Sequence, residues 1–245
     1  MNTVKISGYI TDCKYDHTVI GEKFYSFYIN SMRLSGTIDK IRCMVSDRAF
    51  NIDSIKKYEE DHLFVCIDGE YRSYRYRTKE EKGFKNHTNY FIFVKDMKML
   101  LNDNCLPKFL NKDDFVNIIK LQGTVVKDPV YRQTPLGRDI TDIIIRIDRS
   151  YNMNDYVPLI VWGKNAKYAS AEIHKDDKIY IVGRIQSRLY TKVIEETGEV
   201  VAKMAYDISA SGIEKIDCES PETTDTVTKS ADNVPRNDFT IEITY

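Results

Sequence analysis

The chain contains its own repeat. Laying the segment that starts at Val4 over the one near Lys120 brings Gly8 onto Gly123, an offset of 115. Thr18-Val19-Ile20-Gly21 falls on Thr134-Pro135-Leu136-Gly137 at an offset of 116, and Gly69 and Tyr76 fall on Gly183 and Tyr190 at 114. An offset that drifts by two residues over four landmarks is hard to obtain from unrelated segments, so two copies of one unit are expected. The 245 residues accommodate two such units, since domains commonly run to about 100–200 residues.

Each copy opens with an alternating stretch, 4–10 or 118–126, then a turn closed by glycine, then a second such stretch, 24–29 or 140–147. This is the pattern of paired, half-buried strands. A third strand follows at 41–45 or 157–162, then a segment with helical character at 48–60 or 164–175, then an apolar strand ending in Gly69 or Gly183. Copy two continues through 184–192, a turn at 195–199 and a return strand. The order strand, strand, strand, helix, strand, strand predicts an all-β fold with one helix per domain: two tandem five-stranded barrels of the oligonucleotide/oligosaccharide-binding (OB) type. A two-domain α/β protein is the alternative, but repeated βαβ units with Gly-rich turns are missing. The expected boundaries are 1–101 for a degenerate first barrel, 102–115 for a connector, 116–217 for the second barrel and 218–245 for a polar, flexible tail. From Cys218 the composition turns to Ser, Thr, Asp, Pro and Asn, which cannot bury enough apolar area to offset chain entropy.

Several function classes are excluded by what the chain lacks. The five cysteines, Cys13, Cys43, Cys66, Cys105 and Cys218, form no CxxC pair, and His17, His62, His87 and His174 stand at no metal or triad spacing. Nucleophile-elbow, phosphate-loop and HExxH motifs are absent. The expectation is therefore a binding protein with no cofactor, no metal and no enzymatic activity. No apolar run approaches the roughly 18 residues of a membrane span, and no secretory leader opens the chain, so a cytoplasmic location is expected.

The net charge of −1 conceals a gradient. Residues 1–98 sum to +3 and 116–217 to +1, while the tail 218–245 sums to −4. The barrels are mildly basic, which is also what ordinary surface solvation gives. More specific is the strand after each glycine landmark. With period two, Arg184, Gln186, Arg188 and Tyr190 share one face, and Ile185, Ser187 and Leu189 share the other, expected to face a core. In copy one, Glu70, Arg72, Tyr74 and Tyr76 share the outward face. The run 71–77 holds three Tyr and three Arg. Tyrosines suit half-buried strands, but Tyr beside Arg is also what a sequence-tolerant single-strand binder needs: rings stack on bases and cations track phosphates.

Three ordered blocks of copy two resemble the bacterial single-stranded-DNA-binding proteins. They are Gly123 to Gly137 with Asp128-Pro129, Arg132 and Thr134-Pro135; Val161-Trp162-Gly163-Lys164 with Ala166; and Lys178 to Tyr190 with Gly183-Arg184 and Arg188. The resemblance implies this barrel, no catalysis, and little-selective binding of single-stranded DNA in replication, recombination or repair. By position it implies stacking rings at Tyr151, Tyr156, Trp162 and Tyr190, and basic contacts at Arg138, Arg149, Lys164, Arg184 and Arg188. In copy one Ser46 stands where Trp162 would be and Arg48 falls near Lys164, so that barrel is expected to bind through Arg42, Arg72, Tyr74 and Tyr76, or less tightly. The family assembles four barrels, which implies a homodimer here. It also recruits replication proteins through an acidic, apolar-tipped peptide, which residues 232–245 do not match. The source implied is bacterial, or a phage or mobile element. The alternative reading is an OB-fold replisome or primosome accessory protein with one barrel given to protein contacts.

Overall fold

The computed structural model describes residues 1–80, 83–100, 114–150, 153–193 and 200–216. The first half holds β1 (Asn2–Val19), β2 (Glu22–Met32), β3 (Ile38–Ser46), α1 (Ile52–Glu60), β4 (Phe64–Glu80) and β5 (Gly83–Met99). The second holds β6 (Asn117–Val125), β7 (Val130–Gln133), β8 (Asp139–Asp148), β9 (Asn154–Trp162), α2 (Lys164–Glu172), β10 (Lys178–Val193) and β11 (Val200–Lys215). The expected element order is found in both, with β6 and β7 together standing where β1 runs unbroken. Most of the expected connector and all of the tail lie outside the described residues. No helix among the described residues is long and apolar enough to cross a membrane.

Alternation builds the strands. In β1 Val4, Ile6 and Ile10 point inward, and in β9 Val157, Leu159 and Val161 do the same. The β1–β2 hairpin closes through Ile20 and Gly21, both at positive φ (48° and 75°), the geometry that matches the right-handed twist of paired strands. Each barrel closes on itself. In the first, β1 pairs with β2 and β4, β4 with β5, and β5 runs parallel to β3 at Cys43–Ile92 and Met44–Phe93. In the second, β6 pairs with β10 and, at Thr124–Arg146 and Val125–Ile145, with β8, while β9 runs parallel to β11. The glycine landmarks mark where closure is tightest. A Cβ at Gly8 would lie 2.2 Å from Asn30 O, and at Gly183 2.4 Å from Ser209 O, the latter beside a register shift in β10. Only glycine permits so close a backbone approach.

The two barrels are one sheet. β1 and β6 pair antiparallel from Asn2–Leu121 to Ile6–Asn117, joining all eleven strands. Two asparagines, 115 residues apart, finish this seam. The Asn2 side-chain amide exchanges both hydrogen bonds with the Tyr71 backbone, at 2.8 and 2.9 Å, and Asn117 does the same with Ile185 at 2.8 and 3.0 Å. Beyond the barrels β4–β5 and β10–β11 continue as two-stranded arms, paired out to Glu80–Gly83 and Val193–Val200.

Gly183→Ala is expected to lower stability by about 1–3 kcal/mol, the range for forced overpacking. Gly212→Ala, whose new Cβ would meet nothing nearer than 3.9 Å, should change it by no more than about 0.5 kcal/mol. Urea unfolding midpoints check both. Burial pushes the Tyr71 phenol well above its ordinary value and raises that of Tyr206. Both therefore stay protonated in the folded chain where an unfolded chain would ionise, so stability present below pH of about 10 should decline as pH rises beyond it. Thermal unfolding across an alkaline pH series checks this.

Candidate nucleic-acid interface

Along β4 the side chains divide as the period requires. Tyr71 and Ser73 are buried, while Tyr74 is exposed and Arg72 and Tyr76 are half-exposed. Tyr74 and Tyr76 stack with ring centroids 6.1 Å apart, and Tyr76 stacks on His87 of β5 at 5.0 Å, making a row of three rings. Arg72 lies 4.0 Å over the Phe93 ring and its Nη2 donates to Glu70 at 2.8 Å; Lys95 also donates to Glu70. Burial raises the Glu70 carboxyl, but those two cations outweigh it and hold it below its ordinary value.

On β10, Arg184, Arg188 and Tyr190 are exposed on the outward face. Ile185 is buried on the other face, but Leu189 does not face a core; it is 66% exposed. By Leu189 the strand has left its own barrel and runs in the arm, beyond the point where Ser187 on the same face meets the first barrel. Periodicity assigns a face, not what lies opposite it.

The arms are fastened across the molecule. Asp155, at the start of β9 in the second barrel, is fully buried and accepts from Ser73 of the first barrel, from its N–H at 2.7 Å and its hydroxyl at 2.9 Å. Its other oxygen lies 3.1 Å from Arg149 Nε, an ion pair whose N–H is not aligned for a hydrogen bond. The mirror arrangement holds Asp39 of the first barrel, also fully buried. It takes two hydrogen bonds from Arg33, at 2.7 and 2.6 Å, and one from the Ser187 N–H of the second barrel at 2.7 Å. Arg149, expected to face a nucleic acid, is thus turned to a structural carboxylate, with its side chain only 22% exposed.

The outward face of β9 carries Tyr156, Pro158, Ile160 and Trp162. A groove of about 240 Å³ runs beside it, lined by residues that include Ile144, Pro158, Lys127, Arg132 and Arg188. Trp162 is 36% exposed at one end of the strand, next to exposed Lys164, the first residue of α2. Arg138 is exposed in the turn before β8. Tyr156 at the other end is not open: the Arg75 guanidinium from the opposite arm lies 4.2 Å over its ring, and Tyr90 donates to its carbonyl at 3.2 Å. Tyr151 lies outside the described residues. The sequence reading passed over a second groove, of about 460 Å³, formed by Asp12, Cys13, Lys14, Tyr28 and Lys40 of the first barrel with Met204 of the second barrel's arm. There Lys40 sits 4.6 Å over the Tyr28 ring. The alternation of β2, with Phe27 and Ile29 buried, leaves Tyr28 half-exposed on the other face and could have flagged it. The Met204 wall has no local signal.

The candidate cations fall into two sets. Arg42 is tied to Asp16 at 2.6 Å, Arg72 to Glu70, Arg149 to Asp155, and exposed Arg188 more loosely to Asp207 at 3.6 Å. Among the described residues, no carboxylate lies within 4.0 Å of Arg138, Lys164 or Arg184. A phosphate would bind the second set without first breaking an ion pair.

Residues 116–215 match the profile of the Single-strand binding protein family. A single-stranded DNA-binding protein of Clostridium tetani is 36% identical over 81 residues, 31% of this chain and 56% of that protein. Single-stranded DNA-binding protein B of Bacillus subtilis is 30% identical over 80 residues, 30% of this chain and 71% of that protein. The chain belongs to the single-strand binding protein family. It spans about half the length of most of the curated relatives it matches. The solved single-stranded DNA binding protein of Thermus aquaticus shares the fold over 91% of this chain and 97% of its own, with a TM-score of 0.64 at 15% identity. A deletion variant of that protein aligns with a TM-score of 0.61. The likeness to a solved structure thus extends over both barrels, whereas the family profile reaches only the second.

Removing one partner of a buried ion pair typically costs about 3–5 kcal/mol. Asp155→Ala leaves Arg149 without its ion-pair partner and the Ser73 N–H and hydroxyl without their acceptor, so a loss of that size is expected, measured by denaturant unfolding of the whole chain.

Proposed function

We propose that this chain binds and protects single-stranded DNA with little sequence preference, in replication, recombination or repair, without catalysing a reaction. The observation that carries this is the exposed Tyr and Arg face that both arms present on a chain of this family. Bases stack on the rings of Tyr74, Tyr76, Trp162 and Tyr190, and phosphates are met first by Arg138, Lys164 and Arg184, which need give up no carboxylate. Arg188 joins them after releasing a weak partner. Stacking on aromatic faces is tolerant of sequence because every base has a π-face. Two chains would bring four barrels together, and replication proteins would be the partners.

A second reading gives the first barrel to protein contacts. It is favoured by Arg42 and Arg72, both neutralised by carboxylates, and by buried Ser46 in the place that Trp162 takes in the other barrel.

Binding is measured with a labelled oligonucleotide of about 30–35 nucleotides at two salt concentrations. Tight, salt-sensitive binding with quenching of Trp162 fluorescence is expected. Tyr190→Ala should weaken it by about 1–3 kcal/mol, the usual worth of one stacked base. If Tyr74→Ala with Tyr76→Ala leaves affinity unchanged while Tyr190→Ala does not, the second reading holds for the first barrel.

A further inference from the structure

Arg75 belongs to the first half of the chain by sequence and to the second barrel by position. It follows Ser73 by two residues, so the two side chains share a face of β4. Ser73 is fastened to Asp155, and Tyr156 is the next residue of β9, which delivers the Arg75 guanidinium over the Tyr156 ring at 4.2 Å. The Tyr90 hydroxyl, on the neighbouring strand of the same arm, holds the Tyr156 carbonyl at 3.2 Å. Arg75 remains exposed, and among the described residues no carboxylate lies within 4.0 Å of it.

Resting on the reading above, we propose that Arg75 is a nucleic-acid contact of the second barrel's site, contributed by the first barrel's arm. A guanidinium held over a ring by its carbon still has N–H groups to offer, able to take a phosphate two at a time. The Tyr156 ring thereby becomes a composite platform, aromatic below and cationic above, and a strand lying on it touches both halves of the chain at once.

The repeat itself argues that this contact is more than a brace for the arm. The fastening is duplicated: Ser73 on Asp155 is matched by Ser187 on Asp39. The cation over the ring is not. At the mirror position Lys40 stands where Tyr156 would be and exposed Leu189 where Arg75 would be. Among the described residues the second arm is held without any such pair, so docking an arm does not require one.

The experiment titrates the full chain into a labelled single-stranded oligonucleotide over a series of salt concentrations, with thermal unfolding of each variant recorded alongside. Arg75→Ala and Arg75→Gln are expected to bind about tenfold more weakly at low salt. The slope of log affinity against log salt should shrink by about 0.7, the value for one phosphate contact on a single strand. Arg75→Lys should keep the slope. In a Tyr156→Ala background, Arg75→Ala should cost less than about twofold, because the platform is already gone. Affinity and slope unchanged in Arg75→Ala and Arg75→Gln, with the unaltered chain binding tightly, would overturn this proposal alone. So would a lost affinity with an unchanged slope, which marks a structural role. Failure of the unaltered chain to bind at low salt would overturn both this and the functional reading.

Discussion

Everything in this molecule hangs on the backbone pairing of β1 with β6. A barrel satisfies its own strands, but β1 and β6 each keep one edge for the other, and the five paired positions from Asn2–Leu121 to Ile6–Asn117 turn two closed units into one sheet. The seam is finished with side chains that imitate backbone. Asn2 and Asn117 each present a carbonyl and an amide in strand-like order to the neighbouring β4 or β10, so the ladder continues where strand geometry alone would leave groups unpaired. With the barrels fixed side by side, each arm lies against the other barrel, and a buried carboxylate is waiting there for it. Asp39 and Asp155 are costly charges to bury, and each is compensated by an arginine of its own barrel together with N–H and hydroxyl donors from the other.

The tyrosines divide between this framework and the surface. Tyr71 is 1% exposed and stacks on Tyr90 at 5.7 Å, while Tyr206 is desolvated against Tyr28 and the Arg42 backbone. These rings are packed where arm and barrel meet, and the Tyr90 hydroxyl donates there to the Tyr156 carbonyl. Tyr74 and Tyr190 stand on the opposite faces of the same arms, in water. A single ribbon thus uses its two faces differently, one to hold the molecule together and one left open to solvent. The seventeen tyrosines, more than a binding surface alone would use, answer to both.

What the sequence made legible was whatever local chemistry controls. The glycine spacing was readable because Gly8, Gly69, Gly123 and Gly183 sit where a carbonyl comes within 2.6 Å of the missing Cβ, a demand that both copies must meet. The strands and helices were readable from alternation and its interruption. The faces of β4 followed from period two; Leu189 did not, since period two knows nothing of where a barrel ends. The role of Arg149 was unreadable for a different reason. Its carboxylate is fixed by Ser73, 82 residues away, and Asp39 is met by Ser187 at a separation of 148. The cation over Tyr156 and the Met204 wall of the second groove likewise join residues far apart in sequence. Such contacts leave no trace in any short window.

The unequal mirror positions, Arg75 over Tyr156 at one end and Leu189 and Lys40 in the corresponding places at the other, have a geometric consequence. An assembly of identical subunits about a two-fold axis looks the same from either end, and a polynucleotide laid across the axis would be handled alike whichever way it ran. Covalent linkage of the copies removes that equivalence. The two ends of the chain are unlike, so a polynucleotide bound as proposed would meet a different surface at each of them.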